Sequence, residues 1–173
     1  MKKAAIHPDP GYYTRYISLV PDVDLETALE AALQALEDLD AEKLEPLGNH
    51  AYAPGKWTLK EVLQHITDTE RVFTYRALLF ARKDRQLPPG MDQEEYAANA
   101  ETGQRTVAEI LSELKAVRKA TIALFSSFTE EALLRTGTSW KTEMSVLALG
   151  FATAGHQRHH LDIIFERYLP AQN

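Results

Sequence analysis

The sequence predicts an all-α protein: a four-helix bundle with a long crossover loop between its second and third long helices. Three observations carry that prediction. Four long segments repeat apolar residues every three or four positions, the stretches between them hold the Gly and Pro residues, and no useful run alternates apolar with polar. Amphipathic helices that cannot bury their stripes alone pack most simply as a bundle. The length of 173 residues suits a single domain spanning 1–173, large enough to bury roughly two-thirds of its unfolded surface.

The first helix is expected over about Leu25 to Leu39, where Leu25, Ala28, Leu29, Ala32, Leu33 and Leu36 form one stripe. The run "EPLGNHAYAPGKW" then breaks it with two prolines and two glycines. The second helix starts at "WTLKEV", where Thr58 and Glu61 have capping-box spacing and Trp57 and Val62 are spaced as a hydrophobic staple. It should reach about Lys83, before "QLPPGMDQ". Thr106 and Glu109 repeat the capping pattern ahead of a third helix through Ile110, Leu114, Val117, Ile122 and Phe125, ending near Ser127. A helical turn is expected at "TEEALLR", and a last long helix from about Met144 to Tyr168. The connection between the second and third helices exceeds 20 residues, a length that usually serves function or a crossover.

Composition narrows the function. A formal charge of -6 gives no basic face for displacing counterions, so nucleic acid is not an expected partner. With no cysteine, a metal site has to be built from His, Asp and Glu. The start "MKKAAIHPDPGYY" reaches His, Asp and two prolines before any apolar stretch, unlike a secretory signal. No segment carries about 18 uninterrupted apolar residues, so no membrane span is expected. A cytoplasmic location follows as the expectation.

The chemistry concentrates in "GHQRHHLDII", residues 155–164, which holds three of the six histidines. At about 100° per residue, His160 lies about 40° from His156 and shares its apolar stripe with Leu149, Ala152, Thr153 and Ile163, while His159 falls near -60° on the shoulder. The i, i+4 pair His156 and His160 can converge on one ion; His156 with His159 is the weaker pairing. In the second helix, His65 shares the inward phase with Val62, Ile66, Thr69 and Phe73, whereas His7 and His50 lie in irregular segments. His65, His156 and His160 would leave a coordination position open to water or substrate. Hydrogen-bonded core histidines, or a surface cluster, are the alternative from periodicity alone.

The segment departs from the zinc-protease pattern H-E-x-x-H, since Gln157 stands at the position of the Glu and cannot take a proton. Asp68, beside His65, and Glu143, near the last helix, are the candidate bases, each with a solvated or capping role as the plainer reading. Arg76 falls about 20° from His65 in phase, as an anion clamp or a structural ion pair. Trp57, Trp140 and Tyr52 are candidates to line a pocket.

"GKWTLKEVLQHITDTERVFTYRALLFAR" and "AGHQRHHLDIIFERYL", with the "LPPGMDQEEYAANA" loop and "LKAVRKATIALFSSF" helix, resemble the DinB-like superfamily, which includes YfiT-type metal-dependent hydrolases. The resemblance covers nearly the whole chain. It implies a four-helix bundle holding a divalent metal, zinc or nickel, on His65, His156 and His160. Relatives often carry Glu where this chain has Gln157. The resemblance further implies an enzyme acting on a small molecule: either an S-transferase for a low-molecular-weight thiol such as bacillithiol or mycothiol, or a hydrolase. The alternative is a non-catalytic, stress-associated metal-binding protein, forming a homodimer.

Overall fold

The computed structural model describes residues 1–139 and 141–169. In chain order the elements are α1 (Thr14–Ile17), α2 (Leu25–Glu37), α3 (Ala41–Leu44), α4 (Leu59–Ala81), α5 (Gln93–Ala98), α6 (Val107–Ser126) and α7 (Glu130–Leu133), then β1 (Thr136–Ser139), β2 (Thr142–Ser145) and α8 (Val146–Ile163). A π-helical turn, Ile164–Tyr168, extends α8. The long helices α2, α4, α6 and α8 are the four expected ones. No helix among the described residues is long and apolar enough to cross a membrane.

Both capping boxes form. The Thr58 hydroxyl accepts from the Glu61 N–H while the Glu61 carboxylate accepts from the Thr58 N–H at 2.6 Å, and Thr106 with Glu109 does the same for α6. The last helix departs from expectation at its start. Residues 142–145 form β2, which pairs antiparallel with β1 in the register Thr136↔Ser145 to Ser139↔Thr142, and Ser145 then caps α8 through the Ala148 N–H. Four-residue strands are too short for an alternating pattern to stand out, and this hairpin gains its stability by packing Ser139, Met144 and Ser145 into the body of the protein.

Each of α2 and α4 packs against both α6 and α8. Side-chain partners give the directions. Gln64 with Arg105, Arg71 with Glu113 and Glu70 with Arg118 advance together, so α4 and α6 run parallel. Trp57 with Tyr168 and His65 with His156 advance oppositely, so α8 runs antiparallel to α4. Parallel neighbours cannot be joined by a tight turn. The chain must return along α4, 23 residues and about 35 Å long, and residues 82–106 with α5 make that crossover.

The apolar core is divided. One cluster gathers Leu25, Leu29, Phe73, Phe80, Phe125, Leu147 and Phe151 with Tyr13 and Ile17; the other gathers Leu36, Leu59, Leu63, Ile110, Leu114, Leu161 and Tyr168. Along every long helix except α2 the change of cluster coincides with buried polar residues: His65, Thr69 and Glu70 on α4, Arg118 and Thr121 on α6, His156 and Gln157 on α8. A polar belt thus crosses the middle of the bundle, and the candidate site lies in it.

Candidate metal centre and its cavities

The structure brings the predicted histidines together from opposite helices. His156 Nε2 lies 3.1 Å from His65 Nε2 and 3.1 Å from His160 Nε2. The three form the one group of potential ligands found among the described residues, with all ligand atoms within 4.8 Å of one another. His65 and His156 are buried, and His160 is partly exposed.

This convergence fits a divalent ion. Two nitrogens 2.0–2.1 Å from one ion stand about 3.3 Å apart in tetrahedral and about 2.9 Å apart in octahedral geometry, bracketing the observed spacing. Burial holds the imidazoles neutral. It lowers His65 to about 4 and His160 to about 3, and it takes His156 well below the usual range, with the neighbouring histidines adding to the shift. A neutral ring has one N–H, so the His156 Nε2 hydrogen could serve only one of its two contacts. A cation at the centre satisfies all three lone pairs.

Supporting contacts orient the rings. Thr69 Oγ1 lies 3.4 Å from His65 Nδ1, at the other edge of that ring. Trp57 leans on His65 with centroids 4.7 Å apart, and Tyr16 meets His156 edge-on at 5.2 Å. Tyr16 reaches that position because residue 155 is glycine: a Cβ there would overlap the Tyr16 carbonyl. His159 packs against Tyr16 at 5.5 Å and His160 at 5.0 Å, flanking the centre as its helical phase implies. His50 lies against Tyr168, away from the cluster.

Two cavities open on the histidines. The larger, about 310 Å³, is lined by His65, His156, the tyrosines 12, 13 and 16, Phe73 and Arg76 among others. The second, about 230 Å³, is lined by His160, Trp57, Tyr52, Tyr168 and Glu94, and Gln93 borders both. Trp57 donates its indole N–H to Glu94 at 3.1 Å, fixing α5 beside the site. Tyr52 and Trp57 therefore line a cavity as expected, while Trp140 lies outside the described residues.

The candidate bases are not brought to the cluster. Asp68 accepts from Gln64 at 3.0 Å and pairs with Arg71 at 3.5 Å, and Glu143 accepts from Thr136 within the hairpin. Glu94, which lines the second cavity, lacked a helical phase to flag it because α5 is only six residues long. Tyr12, Tyr13 and Tyr16 also escaped the sequence reading, although "YYTRY" spaces aromatics one helical turn apart. Arg76 makes no ion pair among the described residues: it donates to Ser139 Oγ at 3.1 Å and the Pro89 carbonyl at 3.0 Å.

A sequence profile of the DinB superfamily matches residues 24–164, which includes all four long helices. The chain belongs to the DinB superfamily. This DinB chain is 25% identical over 138 residues, 79% of its length and 77% of the relative's, to an Oceanobacillus iheyensis protein named as a candidate metal-dependent hydrolase. Its fold is similar to that of YfiT from Bacillus subtilis, described as a probable metal-dependent hydrolase with an unusual four-helix bundle topology. The TM-score is 0.68 at 17% identity, covering 95% of this chain and 90% of that one. In this DinB protein the helix directions derived above place α4 parallel to its neighbour α6.

Proposed function

We propose that this protein is a metal-dependent enzyme in which His65, His156 and His160 hold zinc or nickel and a low-molecular-weight thiol is transferred to a small electrophile. The observation that carries the reading is the convergence of the three histidines at the junction of two cavities. A bound divalent ion would supply Lewis acidity there, lowering the pKa of a thiol or a water. Two separate cavities bordered by Gln93 suit two reactants, a thiol and its acceptor. Aromatic side chains make up much of both walls, and Glu94, which lines the second cavity with His160, is the carboxylate that would accept a thiol proton there. Hydrolysis of a small molecule is the second reading, favoured by the description of the Oceanobacillus relative.

Metal analysis of protein purified without a histidine tag tests the centre, with zinc or nickel near one ion per chain as the supporting result. Thioether formation from a panel of thiols and an alkylating electrophile, lost in His160→Ala and on chelation, supports transfer. Metal-dependent cleavage of esters or amides without thioether formation would replace transfer by hydrolysis. Absence of any bound metal would leave the family's fold without its chemistry and overturn the proposal.

A further inference from the structure

Arg76 is a buried cation at the edge of the larger of these two cavities with no ion-pair partner among the described residues. Its residue is 3% exposed, its two bonds go to the neutral Ser139 hydroxyl and Pro89 carbonyl, and its Nε has no hydrogen-bond partner among the described residues. The comparison within the same protein is Arg118, equally buried but paired with Glu70 at 2.8 Å. An uncompensated buried charge is costly, and a guanidinium presents a fork matched to two oxygens of an anion. Arg76 lines the same cavity as His65 and His156.

We propose that Arg76 is the recognition residue for a carboxylate carried by the substrate. The inference deepens the small-molecule reading above and rests on it for the reacting end of the ligand. Arg76 lies eleven positions beyond His65 on α4, about 16 Å along the axis, and both side chains lean the same way along it, so the lean leaves that spacing nearly unchanged. Between them the wall is Tyr12, Tyr13, Phe73, Val72 and Met91. The ligand that matches this order of surfaces has a reactive group at one end, an apolar or aromatic body, and an anionic end no more than about 16 Å away. No other Lys or Arg among the described residues lines the cavity. Arg15 lies outside the lining and stacks on the Tyr12 and Tyr16 rings with its guanidinium bonded to their hydroxyls, so Arg76 is the guanidinium that the cavity itself presents, and a planar carboxylate matches its fork.

The test uses a probe series, the ω-phenylalkanoates from phenylacetate to 5-phenylpentanoate, each against its neutral amide, with binding measured by calorimetry on the purified protein. At least one acid is expected to bind about tenfold more tightly than its amide, the size of one charge-assisted contact. That preference should disappear in Arg76→Met and persist in Ser139→Ala, which removes the hairpin contact but keeps the guanidinium. It should also persist after metal is stripped with 1,10-phenanthroline and dialysed away. Metal content is read separately, so a missing metal would overturn the enzyme reading and leave the carboxylate site standing. Equal binding of acid and amide throughout the series, no binding at all, a preference that survives Arg76→Met, or one that vanishes with the metal would overturn the inference. Should Arg76→Met not fold, Arg76→Lys keeps the charge but loses the fork, and its preference should drop about threefold or more.

Discussion

The Arg118 guanidinium donates to the Gln157 carboxamide oxygen at 2.9 Å, and the Gln157 amide nitrogen in turn donates to the Ala32 carbonyl at 2.7 Å. Gln157 is the neighbour of His156, yet its side chain ties α8 to α6 and α2 instead of entering the histidine centre. These bonds fix the rotation of α8, and so the face on which His156 and His160 are presented. The absence of a Glu at this position therefore removes no base from the histidine cluster.

Gln157→Glu makes that statement measurable. The new carboxylate could accept from Arg118, but it would stand beside Glu70 and face the Ala32 carbonyl with no donor. Urea unfolding should show a loss of about 1–3 kcal/mol, while metal content stays at the wild-type level. A gain of turnover in this variant would instead place residue 157 in the reaction.

The Glu70 and Arg118 pair is the second target. Both side chains are almost wholly buried, and Thr121 donates to the remaining Glu70 oxygen at 2.6 Å. Glu70→Ala leaves Arg118 charged with the neutral Gln157 oxygen as its remaining partner, since its Nε and Nη1 have none among the described residues. Removing one member of such a pair costs about 3–5 kcal/mol, to be read as a shifted urea midpoint with an unchanged slope.

Acid should destabilise the metal-free protein through the histidine centre. Burial depresses His65 to about 4 and His160 to about 3, with His156 also lowered, whereas an unfolded histidine titrates near 6.5. The unfolded chain then binds more protons below pH 6.5, so the stability these groups contribute is complete above that value and is lost as the pH falls toward 4. Three such groups give a slope of up to about 4 kcal/mol per pH unit. Unfolding midpoints between pH 7 and 5 should fall less in His156→Ala than in the wild type.

Gly155 tests the approach of α1 to α8. A Cβ at this position would meet the Tyr16 backbone, which cannot swing aside as a side-chain end can. Gly155→Ala is expected to lose about 1–3 kcal/mol and to displace Tyr16 from His156. Gly103→Ala, where an added Cβ has nothing within 4 Å, serves as the control and should change stability by less than about 0.5 kcal/mol.

Removal of one ligand candidate is the sharpest test of the centre. His160→Ala deletes an imidazole that is partly exposed, so the fold should survive with a modest change in thermal midpoint. Metal retention through dialysis should fall at least tenfold. Retention equal to wild type would remove His160 from the ligand set.

The sequence by itself determined the four helices, the capping boxes of α4 and α6 and the three histidines, because each is written in local geometry. Periodicity at 3.6 residues places His156 and His160 on one face, and the Thr and Glu spacing of a capping box acts within a single turn. Tertiary structure alone decided what surrounds them. The burial of Gln157 on Arg118 and the seating of Tyr16 over Gly155 join residues far apart in the chain, and no local pattern encodes such pairings, while the pairing of β1 with β2 is local but its strands are too short for an alternating pattern to show. The same reason hid the two cavities. Each is bounded by α4, α8 and residues of the α4–α6 crossover, with the chain before α1 or α4 closing it, and exists only once parallel packing of α4 and α6 has carried that crossover back along the bundle.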